Sequence, residues 1–312
     1  MIIASKLPPQ HTEYTYFNSG RSAFAYLIGQ IVKPTKVYLP AFTCWSLVST
    51  MQKRFPEIDV EFYSIGRDLT CRFPSHVASS EAIVFIHFFG YVNNDRLPSC
   101  DGTLIEDTSH SYLSEIDLRG DFVFGSYRKI TRVGDGGYLH GFHNPVYEPS
   151  RKLDTWLRYE STDWRDMREA ENMLDRDWQI CDISSQSLAL LMAQDKIQIR
   201  RQRQENEKWL FEHLSAGRPL QQFKGHECPL LHQRLFDSTE ERDSLRSFLA
   251  TKNIFCSIHW PTHPLVAASQ CDASDAFWME AHSMAIPVSS EYSLNDMKLV
   301  VDAVKEWENA GA

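Results

Sequence analysis

Apolar residues recur at helical spacing through residues 21–32, where Ala23, Phe24, Leu27, Ile28 and Ile31 fall on one face. A short apolar segment at 36–39 stops at Pro40, and 44–52 again reads as helix. Segments 60–64, 82–86, 103–105, 122–124 and 137–140 are short and strand-like. The run AIVFI at 82–86 has no polar alternation, as expected of a strand covered on both faces. Strands separated by helical lengths predict an α/β fold: a mostly parallel large-domain sheet with helices on both faces. Ligands on such sheets bind beyond the carboxyl ends of the strands. Thr43, His87, Asp107 and Ser126 each fall at such an end.

The pattern changes further along. Residues 146–182 are rich in charge and tryptophan (Trp156, Trp164, Trp178) without a clear period, and read as a variable helical or loop insertion. Residues 184–214 read as one long helix, with Arg200, Arg201 and Arg203 as a solvated face. A strand at 229–236, a helix opening at Ser238 and Thr239 with Glu240 and Glu241 in its first turn, a strand at 254–258 and a last helix at 294–307 predict a smaller C-terminal α+β domain. The expected division is 1–205 for the large domain and 206–312 for the small one.

Apolar residues make up 43 % of the 312, enough for a sizeable core. With 32 basic and 41 acidic residues the net charge is −9, which argues against nonspecific nucleic-acid binding but not against a local basic pocket for a phosphate. No apolar stretch approaches the roughly 20 residues that span a bilayer, so no membrane partner is expected. The opening MIIASKLPPQ lacks a basic leader followed by a long apolar core. The seven cysteines are scattered and none forms CxxC, which fits reduced thiols in a cytoplasm. His259 and His263 lie close together, but no third ligand at suitable spacing supports a metal.

Four segments carry candidate chemistry. Asn18–Ala23 places small and hydroxyl residues before a helix, which suits either a phosphate or an ordinary N-cap. Leu104–His110 ends an apolar strand in Glu106 and Asp107, with His110 three positions on. Such a carboxylate can hold a proton on a nitrogen heterocycle or cap the next turn. Gly125–Gly137 carries Lys129 and then three glycines in four residues. The lysine can form a Schiff base when deprotonated, or it is a surface lysine beside a glycine turn. Pro40–Trp45 offers the Cys44 sulfur and the Trp45 ring, for a flat cofactor or for the core.

In order and spacing these segments resemble pyridoxal-phosphate enzymes of the aspartate-aminotransferase fold (fold type I), and among them the DegT/DnrJ/StrS sugar aminotransferases. The matching elements are Asn18–Phe24, Pro40–Thr43, His87–Gly90 (H-x-x-G), Glu106–His110 (E-D-x-x-H), and Lys129 with Gly134–Gly137. Ala285–Pro287 and Ser293–Asp296 match the closing strand and helix. The likeness spans nearly the whole chain and is weakest over 146–182. It implies an aspartate-aminotransferase-like fold, pyridoxal 5'-phosphate as cofactor, a homodimer, and transfer of an amino group from an amino-acid donor such as glutamate to a keto sugar.

The same resemblance implies roles for individual residues. Lys129 would bind the cofactor aldehyde as a Schiff base and then move the proton. Asp107 would face the ring nitrogen, and His110 the ring or its 3-oxygen. Gly20, Arg21 and Ser126 would hold the phosphate, and Cys44 or Trp45 would lie on the ring face. Residues 256–261 would approach the substrate side. Two departures stand out: Arg21 replaces the family's usual threonine, and G-S-Y-R-K before the lysine is compressed. Dehydratase relatives carry histidine in place of the lysine, and Lys129 argues against that variant.

Overall fold

The computed structural model describes residues 14–92, 97–140, 179–222 and 224–311, together with Arg165 and Glu169. Eight strands form one sheet: β1 (Tyr14–Phe17), β2 (Lys36–Pro40), β3 (Asp59–Ile65), β4 (Cys71–Arg72), β5 (Glu81–Ile86), β6 (Thr103–Asp107), β7 (Phe122–Ser126) and β8 (Gly137–His140). Their order is β1-β8-β7-β6-β5-β2-β3-β4. From β7 through β6, β5 and β2 to β3 every neighbouring pair is parallel, and the flanking β8, β1 and β4 pair antiparallel. Beyond Glu81 all of β5 is buried, as its unbroken apolar run requires.

The chain winds one way from β2 to β3 and the other way from β5 to β7, so the order reverses between β2 and β5. Crevices for ligands form at such a switch, outside the carboxyl ends of the strands. Helix α1 (Gly20–Tyr26) runs on as a π-helical turn through Val32, and α2 (Trp45–Arg54) follows β2 with Cys44 as its N-cap residue. Phe24, Leu27, Ile28, Leu47, Val48 and Met51 pack from these helices into the core on the sheet.

Residues 184–214 form two helices rather than one: α3 (Ser185–Ala193) and α4 (Lys196–His213). Asp195 makes the break. Its side chain accepts the backbone N–H groups of Ile197 and Gln198, both at 3.0 Å, and so starts a new helix inside an otherwise helical pattern. The arginines divide as well. Arg201 faces solvent, but Arg203 is buried and donates to the carbonyl oxygens of Pro229, Leu230 and Ile130. The solvated-face reading fails there because those three carbonyls need a donor and Arg203 reaches them.

The C-terminal part contains β9 (Arg218–Pro219), β10 (Leu231–Leu235), α5 (Thr239–Thr251), α6 (Pro264–Ala268), α7 (Ser274–His282), β11 (Ser283–Pro287) and α8 (Leu294–Gly311). Its three strands form an antiparallel sheet, β11-β10-β9. A second core gathers Leu210, Leu245, Leu249, Met284, Ile286, Val300 and Val304. Helix α4 runs unbroken through residues 205 and 206. The expected strand at 254–258 is a single bridge from Ser257 to Ala285, since Phe255 is exposed and leaves the run no second face to bury. Apart from Arg165, Glu169 and 179–182, the insertion read at 146–182 lies outside the described residues, as do Trp156, Trp164 and Trp178. No described helix is long and apolar enough to cross a membrane.

Candidate active site

A cleft of about 500 Å³ opens at the carboxyl ends of the central strands. Gly20, Arg21, Cys44, Trp45, Asp107, His110, Ser126 and Lys129 all line it. One end is built by close backbone packing. Ser19 caps α1, its Oγ accepting the Ser22 N–H at 3.1 Å. The ends of β7 and β8 press against this cap. A Cβ on Gly137 would run into the backbone of Ser19 and Gly20, and one on Gly20 would stand 3.2 Å from Ser126 Cβ. Only glycine at 137 lets the two segments meet, and their meeting brings Gly20, Arg21 and Ser126 to one place.

Asp107 is the last residue of β6. Its Oδ1 accepts the Ser109 N–H at 2.8 Å, so one oxygen serves the turn. The Ser109 side chain also hydrogen-bonds this carboxylate. Burial pushes the Asp107 carboxyl up, opposed by Ser109 and by the charges of His87 and Lys129.

His110 is fixed by the Phe89 N–H, which donates to its Nδ1 at 3.2 Å. The proton of the neutral ring therefore sits on Nε2. Burial, with the charges of Lys129 and His259 in support, holds His110 well below the ordinary histidine range, so the ring is neutral at pH 7. It lies nearly parallel to Phe89 and to Trp260, with centroids 5.5 and 5.4 Å away. Trp260 also lines the cleft, and it is the one described lining residue that follows Lys129 in the chain.

Lys129 closes a short 3-10 turn, Tyr127–Lys129, directly after β7. Tyr127 anchors the turn from below. Its carbonyl accepts the N–H groups of Ile130 and Thr131, and its buried ring packs at 4.7 Å on both Tyr112 and Tyr138. The Lys129 side chain is exposed at the cleft mouth, and its Nζ donates to none of the described residues.

Trp45, 43 % exposed, is not a core residue. Its indole N–H donates to the Pro261 carbonyl and its ring stands edge-on to His263 at 4.9 Å. Helix α2 also turns Ser46, Ser49 and Lys53 towards the cleft, which single-residue signals in the sequence do not reveal. Their spacing of three and four residues, on the face opposite the buried Val48 and Met51, is the pattern that could have found them.

No family model matches the sequence, and no curated protein is similar to it in sequence. Solved structures are similar in fold. One is a protein from Streptococcus pneumoniae, Spr1654, assigned as a sugar aminotransferase and solved in its PMP form. It is 15 % identical, with 96 % of this chain and 87 % of that one covered at a TM-score of 0.66. Another is a DegT DnrJ EryC1 StrS aminotransferase from Brucella abortus, at 13 % identity, 96 % and 87 % coverage and a TM-score of 0.62. A third is a point mutant of GDP-4-keto-6-deoxymannose-3-dehydratase (ColD) with bound GDP-perosamine, at 12 % identity, 93 % and 88 % coverage and a TM-score of 0.65. At these identities the likeness shows the fold: this chain has the fold type I architecture of pyridoxal-phosphate enzymes.

Proposed function

We propose that this protein is a pyridoxal-phosphate-dependent aminotransferase that moves an amino group from an amino acid such as glutamate to a keto sugar, free or nucleotide-linked. The observation that carries this reading is the convergence of Lys129, Asp107 and His110 on one cleft. The donor set fits the cofactor. Asp107 turns its carboxylate to the cleft, and burial makes that charge costly until a cation meets it. A protonated ring nitrogen is such a cation. The backbone cradle at Gly20, with Arg21, offers donors for a phosphate, and the Ser126 hydroxyl, which donates to the Gly136 carbonyl at 3.3 Å, would turn to join them. Pyridoxal phosphate, when bound, supplies an aldehyde that takes up the amino group and a ring that spreads the electron pair left by a departing proton.

The remaining work belongs to this chain's residues. The Asp107 carboxylate would hold the proton on the ring nitrogen. His110 would meet the ring or, through its Nε2–H, the 3-oxygen, and its neutrality suits a group that must not repel a positive ring. Lys129 Nζ would hold the cofactor and, once freed by the amine of the donor, would take and return the proton at the carbon bearing the amino group. Placement beside that carbon makes the transfer effectively intramolecular. Cys44 or Trp45 would lie against the ring. The protein acts as a homodimer. Elimination is the second reading, because ColD is a dehydratase of the same fold. An amine rather than an imidazole at position 129 favours transfer.

Absorbance of the purified protein with added pyridoxal phosphate, before and after glutamate, tests the reading. A visible cofactor band should appear and be converted to the amine form by glutamate alone. Lys129→Ala should lose the borohydride-reducible linkage. A variant that keeps the linkage removes Lys129 from the role, and a wild-type protein that binds no cofactor refutes the reading.

A further inference from the structure

Directly behind Asp107 lies a second acid–base pair that the proposed chemistry does not use. Successive strand residues point to opposite faces, so while Asp107 turns to the cleft, Glu106 turns away from it. Glu106 and His87 are fully buried, with His87 Nε2 and Glu106 Oε2 2.6 Å apart. The other carboxylate oxygen, Oε1, accepts the N–H groups of Arg119, at 2.7 Å, and of Gly120. Glycine is needed there, since a Cβ at position 120 would stand 2.9 Å from Glu106 Cγ. His87 is tied to the site through its backbone: its N–H donates to the Asp107 carbonyl at 3.0 Å, and its carbonyl accepts the Ser111 hydroxyl at 2.9 Å. One carboxylate thus joins the residue after β5, the end of β6 and the loop entering β7.

We propose that the His87–Glu106 pair is a positioning device for Asp107, fixing its strand end and setting the electrostatic field in which it meets the cofactor's ring nitrogen. The inference rests on the cofactor reading above. The buried Glu106 carboxyl would be raised by burial, but His87 and the two backbone donors outweigh this and hold it below the usual range. The charge of His87, when its ring is protonated, favours the charged form of Asp107, as does that of Lys129. His87 and Glu106 touch no substrate, and they act through Asp107 alone.

The test compares two ligands. Pyridoxal phosphate carries the ring nitrogen that Asp107 meets, and its 1-deaza analogue carries a C–H there. Binding of each to Glu106→Gln and to wild type is followed by quenching of tryptophan fluorescence, with no turnover required. Glutamine keeps the shape and removes the charge. The expected result is roughly tenfold weaker binding of pyridoxal phosphate, the equivalent of one pKa unit at Asp107. The deaza analogue should change by less than about threefold, so that the two effects fail to add. Equal losses for both ligands would assign the pair to general folding and overturn the proposal, as would no loss for either. Should Glu106→Gln not fold, His87→Gln carries the same comparison, since its amide can still donate to Glu106. A wild-type protein that binds neither ligand overturns the cofactor reading itself, an outcome distinct from a variant effect.

Discussion

Replacing Arg203 by methionine should destabilise the protein and loosen the segment that carries Lys129. The Arg203 side chain is buried; its Nη1 donates to the carbonyls of Pro229 (3.2 Å) and Leu230 (3.1 Å), and its Nη2 to that of Ile130 (3.2 Å). Methionine keeps most of the stem and drops all three bonds. A hydrogen bond involving a charged group contributes roughly 1.5–3 kcal/mol. Three discounts apply: Nη1 is shared between two acceptors, the contacts are at the long end for N–H···O, and a buried guanidinium no longer has to be desolvated. The same desolvation lowers the Arg203 pKa. The net loss is then about 2–4 kcal/mol. At roughly 2 °C per kcal/mol for a chain this long, the melting temperature falls by about 4–8 °C. Urea unfolding should show a lower midpoint at an unchanged slope. Because Ile130 directly follows Lys129, cofactor affinity should fall as well. Stability within about 0.5 kcal/mol of wild type, the mark of a surface substitution, would refute the burial argument.

Two further outcomes follow from the same geometry. Gly137→Ala should cost about 1–3 kcal/mol and weaken cofactor binding, because its Cβ meets backbone rather than a movable side chain. Gly225→Ala, whose Cβ would meet nothing within 4 Å, is the control, and equal melting shifts for the two would refute the cradle. His259 is lowered to about 4 by burial and by the Lys129 charge. The folded state therefore binds fewer protons there than the unfolded state, whose imidazole titrates near 6.5. The contribution is complete above about pH 6.5 and is lost as the pH falls from there to about 4. His259→Gln should flatten the loss of urea stability across that window, and parallel profiles for variant and wild type would sink the assignment.

The difference between Arg203 and the residues around the cleft shows what the sequence can disclose. Cys44, Asp107, Ser126 and Lys129 sit at or just beyond the ends of short apolar runs, where backbone geometry alone sends them to the carboxyl edge of the sheet, and Gly20 opens a helix. Strand ends are local signals, so the cleft can be read from them. Arg203 looks like any charged residue on a helix, and its burial is decided by acceptors 26, 27 and 73 residues away. Asp195 escapes for the opposite reason: an N-cap is local, but here it lies inside an unbroken helical period that masks it.

Trp260 joins the two kinds of information. The resemblance brings residues 256–261 towards the substrate side, but the local pattern, which includes a strand expected at 254–258 that is only a bridge, does not name the rings that Trp260 meets. Yet its ring lies near-parallel to Phe89 at 5.6 Å and to His110 at 5.4 Å, and approaches Phe42 at 5.1 Å. Phe89 in turn holds His110 through its N–H. The C-terminal part is therefore coupled to the cleft by the Trp260 indole, which rests on His110 and on Phe89, the residue that holds the His110 ring, and by Trp45, which meets Pro261 and His263. Residues that set this coupling lie in separate segments of the chain, which is why packing, rather than any motif, brings it to view.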